Sequence, residues 1–94
     1  MMALMDAGQS RDAVEMPLAP HRGDHIPARH PACWIHLAGG WRRGWIQHWL
    51  VGTSGWLAWV QYEDPDGRPW PRFGMFAYDE EAVRPREEGQ GPPD

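Results

Sequence analysis

The chain has 94 residues, seven tryptophans, one cysteine and a formal net charge of −4. That length allows one small domain; the lone Cys33 excludes an intrachain disulfide and a cysteine-based zinc cage; and no stretch approaches the about 18 apolar residues that span a bilayer. Residues 32–78 carry +1, the stretch 79–94 carries −4 and residues 1–31 carry −1, a near-neutral centre with an acidic tail that is not the usual footprint of a nucleic-acid binder.

Met1 to Asp6 lacks a basic n-region and a long apolar run, so no signal peptide is expected and the protein is read as cytoplasmic. Residues 1–31 are read as a flexible arm containing proline and histidine. Gln9 to Met16 suits one or two helical turns with Ser10 as cap, although an isolated helix that short is marginal. Pro17, Pro20, Pro27 and Pro31 keep the chain extended, and Pro17-Leu18-Ala19-Pro20 has the spacing of a polyproline recognition motif.

Cys33 to Leu37 is a short strand followed by the turn signal Ala38-Gly39-Gly40. In Trp41 to Val51 the tryptophans recur every four residues, which also suits a helix face, but Gly44 inside and glycines on both flanks favour a strand. Gly52-Thr53-Ser54-Gly55 is a hairpin loop and Trp56 to Tyr62 the next strand. Asp64-Pro65-Asp66-Gly67 is a turn in which proline presets φ and glycine supplies a positive φ. Arg72 to Tyr78 is a fourth strand with a bulge or bend expected at Gly74. Asp79 to Ala82 makes one helical turn before a fifth strand, Val83 to Pro85. Residues 86–94 are an acidic Gly/Pro tail, read as disordered. The expected architecture is an all-β, five-stranded small barrel over residues 32–85 between two arms.

Trp41-Arg-Arg-Gly-Trp-Ile46 and Trp59-Val-Gln-Tyr62, with the Pro-Asp-Gly turn, the helical turn and the terminal Val-Arg-Pro, resemble a Tudor-type domain of the SH3-like small β-barrels. The similarity covers about Cys33 to Pro85. It implies a barrel and, in many members, an aromatic cage for a methylated cation. Tyr62 falls on a cage position. The residue after Trp41 is Arg42, which repels a cation, and the first-strand cage position falls on Leu37 or His36, so the resemblance implies the barrel without the pocket.

Alternation places Gly44, Ile46 and Leu50 on one face of the second strand, and Trp41, Arg43, Trp45, Gln47 and Trp49 on the other. On the third strand Trp56, Ala58, Val60 and Tyr62 point inward, Leu57, Trp59 and Gln61 outward. The outer rings, with Trp34, either cover an open end of the barrel or form an exposed aromatic surface. The leading expectation is a non-catalytic interaction module that binds a protein or peptide partner through Trp41, Trp45, Trp49 and Trp59. The alternatives are a homodimer through the same face, or a nucleic-acid-binding accessory protein using Arg42, Arg43, Arg68 and Arg72 beside the rings.

His21, His25, His30, His36 and His48 do not assemble a metal set, because Pro20, Gly23 and Pro27 oppose a helix that would align His21 with His25. Cys33 with His36 or His48 is the one conceivable nucleophile–base pair, and no acid is placed to orient either ring. No enzyme activity, cofactor or metal is expected.

Overall fold

The computed structural model describes residues 11–16, 25–52 and 55–93. Seven strands follow in chain order: β1 (Glu15–Met16), β2 (Ile26–Pro27), β3 (Ala32–Leu37), β4 (Gly40–Gly52), β5 (Gly55–Tyr62), β6 (Arg72–Ala77) and β7 (Val83–Pro85). They form one antiparallel sheet in the order β1-β6-β5-β4-β3-β7, with β2 added along β4. The described residues contain no helix. All five expected strands are present as β3 to β7, and the stretch read as a flexible arm contributes β1 and β2. The polyproline motif at residues 17–20, His21 and the hairpin tip at residues 53–54 lie outside the described residues.

The sheet does not close as a continuous ladder. Between its edges the N-terminal arm makes single bonds instead: the Ala13 N–H donates to the His36 carbonyl at 2.8 Å, and the Ala77 N–H donates to the Val14 carbonyl at 3.0 Å. An extended backbone over residues 11–16 thereby satisfies groups on two strands at once. Over residues 11–16 that outcome replaces the helical turns expected across Gln9–Met16, which would have had only their own few bonds to stabilise them, while Gln9 and the expected cap Ser10 lie outside the described residues. The arm is fastened further by a forked Arg11–Asp79 pair at 2.7 and 2.9 Å. Asp12 Oδ1 lies 2.7 Å from His36 Nδ1 and accepts the Gly39 N–H at 3.2 Å, so an acid does orient the His36 ring, contrary to the sequence expectation, because the arm folds back onto β3.

The β3–β4 connection is a two-residue turn with Ala38 at φ 52° and Gly39 at φ 77°, the paired left-handed geometry that matches strand twist. In the turn Asp64–Gly67 the Gly67 N–H donates to the Asp64 carbonyl at 2.9 Å and Gly67 takes φ 80°, as the sequence predicts. Asp79–Ala82 forms its single turn through the Val83 N–H to Asp79 carbonyl bond at 2.9 Å.

One irregularity rearranges the long strand. Ile46 pairs with Val60 but His48 pairs with Trp59, leaving Gln47 as an extra residue in β4. Such a bulge reverses the alternation beyond it. Trp49, expected outside, therefore packs against the core beside Ala58, while Leu50, expected with Ile46, turns to the opposite face. The bend expected at Gly74 is absent, and β5–β6 pairing runs through it in register. Glycine is needed there because the Phe76 ring lies over it, 2.8 Å from where a Cβ would stand.

The core side holds Cys33, Ile35, Ile46, Val60, Tyr62, Phe76 and Val83, with Ala13 from the arm. Tyr62 meets the Phe76 ring edge-on at 5.6 Å and is 6% exposed, so the position matched to a cage aromatic is closed by packing. A smaller apolar cluster of Leu50, Leu57 and Met75, with Met16 and Trp59 against it, covers the other face of the sheet.

Candidate functional site

The first half of β4, ahead of the bulge, keeps the predicted alternation, so Trp41, Arg43 and Trp45 stand on the outer face of the sheet. Each of the two rings is braced from the β7 side. The Arg86 guanidinium lies between Trp45, at 5.0 Å from its centroid, and Trp34, at 5.8 Å. Its Nε donates to the Cys33 carbonyl at 3.2 Å and its Nη2 to the Gly44 carbonyl at 3.4 Å. Arg84 lies 5.6 Å over Trp41, whose edge also meets the His36 ring at 4.9 Å. Cation–π contacts of this kind each contribute about 0.5–1 kcal/mol at exposed sites; here they also fix the orientation of the two indoles. Trp34 Nε1 is buried with no hydrogen-bond partner among the described residues.

On the β5 side the same rings face open space. The loop from Asp64 to Pro71 rises opposite them and presents Trp70, which is 73% exposed. Pro69 and Pro71 flank that ring and restrict its backbone. The loop is fixed at its base by Asp64, whose Oδ1 accepts the Asp66 N–H at 2.9 Å and lies 3.8 Å from Arg72. The resulting groove has a volume of about 540 Å³ and is walled by Trp41, Trp45 and Trp70, with Arg42, Arg68 and Glu63 among its polar groups. Trp45 and Gln61 also border a second depression of about 530 Å³ that runs on toward Pro27, Ala28 and Pro31. Together the two make an extended channel across the outer face.

The structure divides the candidate partner-binding residues among three places. Trp41 and Trp45 share the groove. Trp49 lies at the open end of the sheet against Tyr78, ring centroids 5.3 Å apart. Trp59 lies on the outer face away from the groove, stacked on Phe73 at 6.1 Å. A single face carrying all four does not form, because the bulge turns Trp49 inward and β5 sets Trp59 against the second apolar cluster. The four arginines also separate. Arg42 and Arg68 line the groove, Arg72 turns to Asp64, and Arg43 is exposed beside Glu63, whose Oε1 accepts its backbone N–H at 3.1 Å.

Arg42 holds one long contact, from Nε to the Leu37 carbonyl at 3.4 Å, and Arg68 lies 3.9 Å from Asp66. Both guanidinium groups therefore retain donors for a ligand. Trp70 was not among the sequence candidates. Its signal was the Pro-Trp-Pro triplet after a tight turn, which projects a ring from a stiff loop and leaves it no strand neighbour to pack on.

Chemistry elsewhere is constrained by burial. The Cys33 thiol is 1% exposed, and its removal from water pushes its pKa up to about 12 despite Arg86 nearby, which keeps it protonated. Burial and the neighbouring His25 ring, 4.4 Å away, lower the His48 pKa. Among the described residues no three or more His, Cys, Asp or Glu side chains gather as a metal site. Compared with protein-family models, curated proteins and solved structures, the chain matches none of them.

Proposed function

We propose that the protein is a non-catalytic interaction module that holds an extended segment of a partner protein across its outer face, in the channel bordered by Trp41, Trp45 and Trp70. The observation that carries this reading is the preset orientation of two of the rings: Trp41 and Trp45 are each backed by an arginine, while Trp70 stands exposed on a loop whose backbone two prolines restrict. Rings fixed before binding lose little conformational entropy on contact, the cost that otherwise erodes affinity. Tryptophan and arginine are also the residue types that dominate measured binding energy at interfaces. Arg42 and Arg68 supply donors for backbone carbonyls or an acidic side chain of the partner, and Glu63 accepts from its amides.

The finer architectural reading, an SH3-like barrel of Tudor type, is part of the same proposal. Its support is the connectivity of the sheet, a meander from β3 to β6 followed by β7, which returns to pair with β3.

Random peptide libraries panned against the immobilised protein are expected to enrich sequences whose affinity falls at least about tenfold in Trp70→Ala. Enrichment that survives Trp70→Ala and Trp41→Ala alike removes the groove as the site. A second reading, single-stranded nucleic acid, is favoured by the two arginines that share the groove with three rings. Mixed-sequence single-stranded DNA separates the two: binding that collapses steeply with added salt supports nucleic acid, and salt-insensitive peptide capture supports the module.

A further inference from the structure

A second cavity lies on the core side, independent of the groove. β3 pairing with β4 ends at Ala32–Trp45, and β2 pairing begins only at Pro27–His48, with the bulge between them. The short strands β2 and β7 leave a gap there, and the gap opens a pocket of about 370 Å³ that reaches the core residues Cys33, Ile46 and Val83. Its volume falls within the range of about 300–1,000 Å³ usual for small-molecule sites. Trp49 and Tyr78 form one wall, and an adjoining depression of about 280 Å³ extends the apolar surface from Ile26 to Trp56.

The permanently charged side chains around this pocket are arginines. Arg29, His30 and Arg84 line it, and no carboxylate does. Arg84 Nη2 donates to Glu81 Oε2 at 3.1 Å, although its buried Nε has no partner among the described residues, and His30 Nε2 is engaged with the Arg86 carbonyl at 3.1 Å. Arg29 is exposed and makes no hydrogen bond or ion pair with any described residue. An apolar chamber with an unmatched guanidinium beside it is complementary to an amphipathic anion. A carboxylate suits the fork of arginine better than a neutral head, because it accepts two parallel N–H bonds.

We propose that this pocket binds a small monocarboxylate with an apolar body, its chain or ring seated under Trp49 and Tyr78 and its carboxylate on Arg29. The apolar body replaces solvent against Ile46 and Val83, which stabilises the complex by burial. The single charge without a partner among the described residues selects a monoanion over a multiply charged phosphate. Trp49, whose inward turn is imposed by the bulge, is the wall of this chamber.

The test is a titration of the full chain with decanoate, followed by its seven indole N–H resonances, with decanol as the neutral probe of equal chain length. Shifts are expected at Trp49 and Trp56, with Trp41, Trp45 and Trp70 unmoved. Affinity for decanoate is expected to exceed that for decanol by about tenfold, and Arg29→Gln to remove that difference, as loss of a charge-assisted bond requires. Arg29 is exposed and bonds to no described residue, so the substitution is expected to leave the described sheet intact. Equal binding of the two probes, an unchanged preference in Arg29→Gln, shifts centred on Trp41 and Trp70, or no shift at millimolar decanoate would each overturn the proposal. The groove reading stands or falls on its peptide experiment and is untouched by this one.

Discussion

At the scale of single residues, close approach decides what is tolerated. Gly44 sits on the core side of β4, where a Cβ would stand 3.0 Å from Cys33 Sγ, 3.2 Å from Val60 and 3.3 Å from Ile35. Three neighbours must give way at once, each of them in the buried core. Gly44→Ala is expected to lower unfolding free energy by about 1–3 kcal/mol, read by denaturant titration; a midpoint equal to wild type would refute the crowding. The Cys33 thiol, pushed up to about 12 by burial, is expected to stay unlabelled by a maleimide in mildly alkaline buffer and to react at once in denaturant. Prompt labelling of the native protein would place the thiol in water. Gly44 was legible as an inward position because it shares alternation with Ile46. The role of Trp70 was not, since a loop ring has no periodicity to reveal its direction.

At the scale of elements, strand order and turn chemistry were readable, and the exceptions share a cause. Propensity, flanking glycines and Pro-Asp-Gly located β3 to β7. Gln47 offered no sign of a bulge, because an inserted residue looks like any other member of an alternating run until pairing is known. β1 and β2 were missed for a related reason: two-residue strands carry no pattern, and their hydrogen bonds are made to distant partners. The arm they belong to responds to acid in a defined direction. Hydrogen bonding from Arg11, with further help from the Glu81 amide, holds the Asp79 carboxyl below its ordinary range. A carboxylate whose pKa falls on folding stabilises the folded state above its unfolded pKa and loses that contribution as pH drops through the folded one. Hydrogen exchange at the Ala77 amide, bonded to Val14, is expected to gain protection factors that hold at neutral pH and decline below about pH 4 relative to Asp79→Asn. A decline identical in the variant would show that the Arg11–Asp79 clasp is not responsible.

At the scale of the whole molecule, the open sheet depends on its arm to cover exposed strand backbone. β1 covers part of β6, β2 covers part of the second half of β4, and Ala13 joins the core. Removing residues 1–31 would expose backbone donors and acceptors on both strands, with Phe73, Val51 and Trp56 already exposed nearby. That truncation is expected to associate with rising concentration in light-scattering measurements, where the full chain keeps a constant mass. A truncated chain that remains monomeric with an unchanged melting temperature would show that β3 to β7 suffice. The overall class was legible because a chain this rich in β-formers and turn signals has few other options. The distribution of tryptophans over three sites was not, since it follows from the register of one strand against another.

The extra residue at Gln47 also sets a rule for how this chain can diverge. A lineage that lost it would restore simple alternation through β4, sending the indole at 49 outward and drawing the aliphatic chain at 50 inward. Such a deletion is tolerable only alongside an exchange of character between those two positions, and with it the chamber under Tyr78 would lose its wall. Length at 47, the ring at 49 and the aliphatic at 50 are therefore coupled by geometry: a change at one of the three is tolerated only with matching changes at the others.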